Sequence, residues 1–277
     1  MIEKTIEEIV RTQIMRSTAR PLLFFDIEIC EHCNLNCKGC GALSCLAEEE
    51  YLDLTKYEKD IERLSVLSNG EVHHINILGG EPLLHPEVCS FLRITRSYFP
   101  HGVIRLITNG ILLHGQKEEL WDVMRDHSIT LAPTRYPINV DYDTIAEKAK
   151  EKGVKVQFFG NIRAGENDWI HTSLDLEGER NEVHSFMHCW QANNCCVLDS
   201  GRLYPCPVIP NIRHFNREFG TNLYVSEKDG IDIYKVTELK EIMDFLSRPV
   251  PFCRYCNTFK NRPCSWDTTH KQIKEWI

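Results

Sequence analysis

The stretch Leu22-Leu-Phe-Phe-Asp-Ile-Glu-Ile29-Cys-Glu-His-Cys33-Asn-Leu-Asn-Cys37-Lys-Gly-Cys40 decides how this chain is read. Residues 22–29 read as a strand, part continuous and part alternating in hydrophobicity. The strand runs straight into a loop with the spacing C-x3-C-x2-C. Three thiolates on one short loop are enough to hold three irons of a [4Fe-4S] cube, leaving the fourth without a protein ligand. Cubes that only carry electrons are usually held by four cysteines. An open iron can take a substrate or cofactor as its ligand, as the open position of a catalytic metal centre does. Zinc and disulfides are the competing readings. Zinc favours C-x2-C pairs repeated at a distance, and Cys37 with Cys40 fits half of such a site.

Disulfides need an oxidising compartment. Residues 1–10 lack the basic region and apolar core of a secretory signal. No stretch approaches the roughly 20 apolar residues of a membrane span. An odd total of 13 cysteines therefore points to reduced thiols and metal sites in a cytoplasmic protein with no membrane partner. With 277 residues, 42% hydrophobic and 26% charged, the chain has ample core for one large domain and a small appendage. A net charge of −8 argues against nucleic acid as a partner and leaves room for a local basic pocket.

Outward from the cysteine loop the pattern alternates. A helix is expected over 2–18, ended by Arg20-Pro21. Beyond the loop, helices are expected near 54–68, 86–98, 116–126 and 142–151. Strands are expected over Val72–Leu78, Val103–Thr108, Ile129–Ala132 and Val154–Phe159. Strands alternating with helices predict a parallel sheet with right-handed crossovers. The expected class is α/β, a partial (β/α)6 TIM-like barrel with a small C-terminal α+β cysteine-rich module. In such a barrel the working residues sit at the C-terminal strand ends. The cysteine loop, Gly79-Gly-Glu-Pro82, Thr108-Asn-Gly110, Thr134-Arg-Tyr-Pro137 and Gly160-Asn161 all fall there.

The pattern changes after residue 162, where cysteines return at Cys189, Cys195, Cys196, Cys206, Cys253, Cys256 and Cys264. A hairpin is expected to turn at Asp199-Ser-Gly201, and a helix over 237–247 with Thr237 as its N-cap. This divides the chain into an N-terminal helix (1–20), a barrel (21–185) and a cysteine-rich module (186–277). Cys30, Cys45 and Cys89 read as structural, as does His73-His74 at the far end of its strand. Trp169, Trp190 and Trp266 are candidates for lining a pocket, with core packing the commoner use.

The strand, Cys33-x3-Cys37-x2-Cys40, and Gly79-Gly-Glu-Pro82 after the second strand together resemble the radical SAM superfamily over residues 22–162. The resemblance implies a cube held by Cys33, Cys37 and Cys40, with S-adenosylmethionine (SAM) on its open iron. One electron, from a flavodoxin or ferredoxin, then yields a 5′-deoxyadenosyl radical that abstracts hydrogen from a small-molecule substrate. It also implies that Gly79 and Gly80 let the backbone approach the cofactor, that Glu81 accepts from the methionine ammonium, and that Thr108 and Asn109 contact ribose or carboxylate. For Thr108-Asn-Gly110 a turn chosen for its geometry is the alternative. Many relatives carry an adenine-packing aromatic where this chain has Gly39.

The C-terminal cysteines resemble the SPASM domain and its shorter twitch form. That resemblance implies one auxiliary [4Fe-4S] cluster on Cys189, Cys206, Cys253 and Cys256, with Cys195, Cys196 and Cys264 as competitors and zinc as the alternative metal. Twitch-type relatives include enzymes that oxidise an aminocyclitol alcohol, so alcohol-to-ketone oxidation with the auxiliary cluster as electron acceptor is expected. Arg135, Tyr136 and Asn161 are the candidate substrate contacts. An epimerase using a cysteine as hydrogen donor and a peptide-modifying enzyme are alternatives. With only about twenty residues before the first barrel strand, a sugar, cyclitol or nucleoside is favoured over a peptide. A non-catalytic iron–sulfur or zinc relay stands outside these, although a relay needs neither an open iron nor Gly79-Gly-Glu-Pro82.

Overall fold

The computed structural model describes residues 23–277, so the expected helix over 2–18 lies outside the described residues. Five parallel strands form the body of the sheet: β1 (Phe24–Glu28), β2 (His74–Leu78), β3 (Val103–Thr108), β4 (Thr130–Arg135) and β5 (Gly160–Asn161). Helices α1 (Leu54–Ser68), α2 (Val88–Tyr98), α3 (Glu118–Asp126) and α4 (Tyr142–Glu151) form the crossovers. This is the partial TIM-like barrel expected from the alternation.

Local chemistry sets the helix ends. Asp53 caps α1 by accepting from the Lys56 N–H at 2.8 Å, and Asn69 stops it in the left-handed conformation. Tyr57, Ile61 and Leu64 recur at helical spacing and are buried against the sheet. On β1, Phe25, Ile27 and Ile29 are fully buried in the large apolar core, and Phe25 meets Phe99 edge-on. The alternate β1 residues start a polar row across the other face, where Asp26, Asn76, Arg105 and Thr130 stand in register on β1 to β4.

Two expected elements differ. Residues 154–159 do not form a regular strand. Val154–Phe159 does lie alongside β4, with bonds from Leu131 N–H to Lys155 O and from Phe159 N–H to Pro133 O. The regular ladder begins only at Gly160. The late helix, α7, spans Leu239–Leu246, and its N-cap is Glu238 rather than Thr237. The Glu241 carboxylate accepts from the N–H groups of Thr237 and Glu238, so the acid three residues on makes the cap.

After the barrel come β6 (Trp169–Ile170), α5 (Glu182–His188), β7 (Val197–Asp199), β8 (Arg202–Tyr204), α6 (Val208–Phe219) and β9 (Ile231–Asp232). The β7–β8 hairpin turns at Ser200 and Gly201, both at positive φ. The sheet crosses residue 185, because β7 pairs in parallel with β1 and extends the sheet through β8 to β9. A second apolar cluster gathers Leu43, Phe186, Phe215, Phe252 and Trp276. A short strand β10 (Pro263–Cys264) pairs with β6, and the following segment returns to the cysteine loop. No helix among the described residues is long and apolar enough to cross a membrane.

Candidate radical SAM site

A cavity of about 400 Å³ opens at the C-terminal ends of the barrel strands. Cys33, Cys37 and Cys40 line it together with Gly79, Gly80, Thr108, Asn109, Tyr136 and Asn161. The loop carrying the thiols is fixed from two sides. On the barrel side, the Gly80 N–H donates to Cys30 O at 2.6 Å and the Glu81 N–H to His32 O at 3.1 Å. On the other side, the Lys38 N–H donates to Asp267 O, the Thr269 N–H donates to Asn36 O, and Cys37 bridges Thr268.

This changes the reason for the glycines. A Cβ on Gly79 would overlap Cys30 O, and one on Gly80 would overlap His32 O. The missing side chains make room for the backbone of the cysteine loop, which is how the two motifs come to share a wall. Gly39 has a similar reason: it sits at φ +65°, and a Cβ there would run into His171.

Glu81 is a correction. Its carboxylate is fully buried and does not line the cavity. It accepts from the Thr108 hydroxyl at 2.6 Å, the Asn109 N–H at 2.9 Å and the Leu83 N–H at 3.1 Å. Burial pushes its pKa up to about 7, against these hydrogen bonds, which pull it down. It acts as a positioning residue that presents Thr108 and Asn109 to the cavity. Asn109 Nδ2 then donates to Asn34 Oδ1 at 2.7 Å, within the cysteine loop.

Arg135 is the second correction. On β4 the residues alternate, so Thr134 and Tyr136 face the cavity. The Arg135 guanidinium instead pairs with Asp143 at 2.6 Å and lies over the Phe158 ring. Tyr136 is close to all three thiols and hydrogen-bonds Cys37, and burial raises its phenol well above the usual range. It is a hydrogen-bond donor rather than a base. The three tryptophans also belong to the site rather than the core. Trp169 and Trp190 line the cavity, and the Trp266 indole N–H donates to the Cys37 sulfur at 3.2 Å. Gln191, Asp168 and Asn34 were missed by sequence reasoning. Asn34 and Gln191 are marked only by contacts with distant segments, Asn109 and Gly41, and Asp168 only by its place in the cavity wall.

The structure also brings Cys189, Cys206, Cys253 and Cys256 together. Each of Cys206, Cys253 and Cys256 is near enough to Cys189 for its thiolate to feel that charge. Cys189 caps the end of α5 and Cys206 precedes α6, whose first N–H groups point to its sulfur. Cys253 and Cys256 bracket a 3-10 turn at Pro251–Tyr255. Cys196 is fully buried in the barrel core, and the Cys264 thiol donates to Trp169 O. Among the described residues, no three His, Cys, Asp or Glu side chains are grouped as a single metal ion would need. As donor sets, the three thiols of Cys33, Cys37 and Cys40 at the cavity wall would hold a first [4Fe-4S] cube, and the four of Cys189, Cys206, Cys253 and Cys256 would hold a second.

A parallel partial barrel with three cysteines and a Gly-Gly-Glu turn around one cavity defines a radical SAM core. Residues 27–144 match the model of the radical SAM superfamily, a family that implies a [4Fe-4S] cluster and SAM. A GTP 3′,8-cyclase of Clostridium botulinum is 27% identical over 286 aligned positions, covering 93% of this chain and 86% of that protein. A GTP 3′,8-cyclase of Chlorobaculum tepidum is 31% identical over 101 residues, or 36% of this chain. The chain spans only 30% of the length of that relative. Among solved structures, BtrN in complex with AdoMet and 2-DOIA has a TM-score of 0.55 at 18% identity, covering 86% of this chain and 94% of BtrN. Native anSMEcpe with bound AdoMet has a TM-score of 0.51 at 14% identity, covering 84% and 82%. These structural likenesses show the fold.

Proposed function

We propose that the protein oxidises an alcohol of a small sugar-, cyclitol- or nucleoside-like molecule to a ketone. Cys33, Cys37 and Cys40 would hold the first cluster, and with SAM bound there it would supply a 5′-deoxyadenosyl radical able to take the hydrogen atom from the carbinol carbon. Ketone formation then releases the hydroxyl proton and one further electron, a net loss of two electrons. The observation that carries the reading is the adjacency of the second cysteine set: Trp190 and Gln191, which follow Cys189 directly, line the cavity. An electron leaving the substrate therefore has an acceptor site beside it. Asn161, Gln191 and Thr108 offer hydrogen bonds to hydroxyls, and Trp169 and Trp190 offer flat apolar walls.

Two features weigh against the neighbouring readings. Of the described cysteines, those lining the cavity are Cys33, Cys37 and Cys40, the proposed first-cluster ligands. An epimerase needs a further thiol facing the substrate, and Cys195, Cys196 and Cys264 do not line the cavity. Among the described residues no Lys or Arg lines it either, so the four negative charges of a nucleoside triphosphate would meet no countercharge. A neutral polyol fits this lining better than GTP, despite the alignment with the cyclases.

The test is anaerobic turnover with SAM and a panel of cyclitols, sugars and nucleosides deuterated at the carbinol carbon. Deuterium in 5′-deoxyadenosine together with a ketone product supports the reading. Replacing Cys189 and Cys206 by Ala should keep SAM cleavage and abolish the ketone. Return of solvent hydrogen to the same carbon, with no ketone, would replace the oxidation with epimerisation.

A further inference from the structure

A second concavity, of about 750 Å³, opens beside the first cysteine loop. Its lining carries Lys38, His171, Lys260, Arg262, His270 and Lys274. Its one acidic side chain, Glu275, is turned inward and accepts from the Thr269 hydroxyl and the His270 N–H. Among the described residues, none of Lys38, Lys260, Arg262 and Lys274 stands within ion-pairing distance of a carboxylate. In a chain of net charge −8, four permanent positive charges thus gather around one hollow, where Lys38 stands near enough to Glu275 to help lower its pKa. Such a field attracts a partner of opposite sign over a Debye length.

The position of the hollow narrows the choice of partner. Lys38 lies within the first cysteine loop, between Cys37 and Cys40. Phe259 and Lys260 follow shortly after Cys256, so the same hollow is bounded by the loop of the second set. Phe259 is 55% exposed, stacks on His184 at 4.5 Å and reaches His188, the neighbour of Cys189. A small anion would use convergent donors and leave this apolar rim unused. A protein surface would use both, because weak electron-transfer contacts are small and held by complementary charge.

We propose that this concavity docks an acidic one-electron carrier protein of the flavin or iron–sulfur class. One electron would leave the reduced carrier for a cluster that Cys33, Cys37 and Cys40 would hold. The carrier is oxidised by that one electron, and no proton or group crosses the interface. The proposal rests on the radical SAM reading, so its test separates the two.

Flavodoxin is titrated into the reconstituted protein, with binding read by flavin fluorescence at low and high salt. The variant is Lys260→Glu/Arg262→Glu/Lys274→Glu, with Lys150→Glu/Lys155→Glu on the α4 side as control. The expected result is a loss of at least tenfold in affinity in the first variant only, with wild-type binding weakened by salt. Iron content and dithionite-driven SAM cleavage stay unchanged in it, while flavodoxin-driven cleavage falls. Equal affinity in both variants would overturn the docking site. So would loss of inorganic pyrophosphate binding in the first variant while flavodoxin binding survives. If dithionite drives no cleavage in wild type, the radical SAM reading fails, and the titration still decides whether the carrier docks here.

Discussion

Single atoms at the cysteine loop have readable consequences. The Trp266 N–H on the Cys37 sulfur stabilises the more negative, reduced state of a cluster bound there. Trp266→Phe keeps the ring and removes the donor. About 1 kcal/mol of hydrogen bond corresponds to a fall on the order of 40 mV in midpoint potential for one electron. An electrochemical titration followed by EPR would show it, and an unchanged potential would refute the role. Gly80→Ala adds a methyl that meets His32 O and so dislodges the loop. Iron should drop from about eight to about four per chain, the second cube being spared. None of this is legible in sequence. The thiol spacing and the Gly-Gly-Glu turn are local patterns, whereas Trp266 and His171 reach the loop from more than a hundred residues away. Glu81 and Arg135 were assigned to the cavity by their motif and strand end. One is wholly engaged with Thr108 and Asn109, and the other points the opposite way through the period of two along a strand.

At the scale of elements, β1 carries an acid into the barrel. Asp26 accepts from Asn76 at 2.7 Å, and burial raises its pKa from 3.8 to about 7. Between those values the folded state holds the proton more tightly than the unfolded chain. Stability is therefore greatest below the lower value and falls as pH rises towards 7. The loss is ~1.4 kcal/mol for each pH unit over that window at most. Asp26→Asn should flatten this slope, checked by urea unfolding at pH 5 and pH 8. A slope equal to that of wild type would show that Asp26 does not titrate there. The strands and helices of the barrel were legible because their hydrophobic periods are strong. The segment 154–159 misled because alternation describes the face of a strand and not its hydrogen bonds. It runs beside β4 yet pairs regularly only from Gly160. The α7 cap misled because Thr237 and Glu238 are both plausible, and Glu241 decides between them.

Across the whole molecule, the two cysteine sets share one support. Trp276 is fully buried against Phe215 and Phe219, and its carbonyl accepts from the Leu174 N–H. Leu174 in turn bridges Cys256. Trp276→Ala should cost about 3–5 kcal/mol, the range for truncating a buried aromatic. Thermal unfolding followed by iron release should show both clusters lost earlier. Loss from one set alone would mean that the supports are separate. The division read near residue 185 followed the return of cysteines, and a parallel pairing between β7 and β1, far apart in sequence, leaves no local trace.

The strap that pairs Asp267 and Thr269 with the loop of Cys37 also orders events in time. A ribosome completes the three thiols early, while the residues that brace them emerge more than two hundred positions later. During that interval the loop is open to solvent, oxygen and stray metal. Iron delivery to the first site is best delayed until residues 266–269 have been synthesised, which makes cluster insertion a late act of maturation rather than a companion of translation.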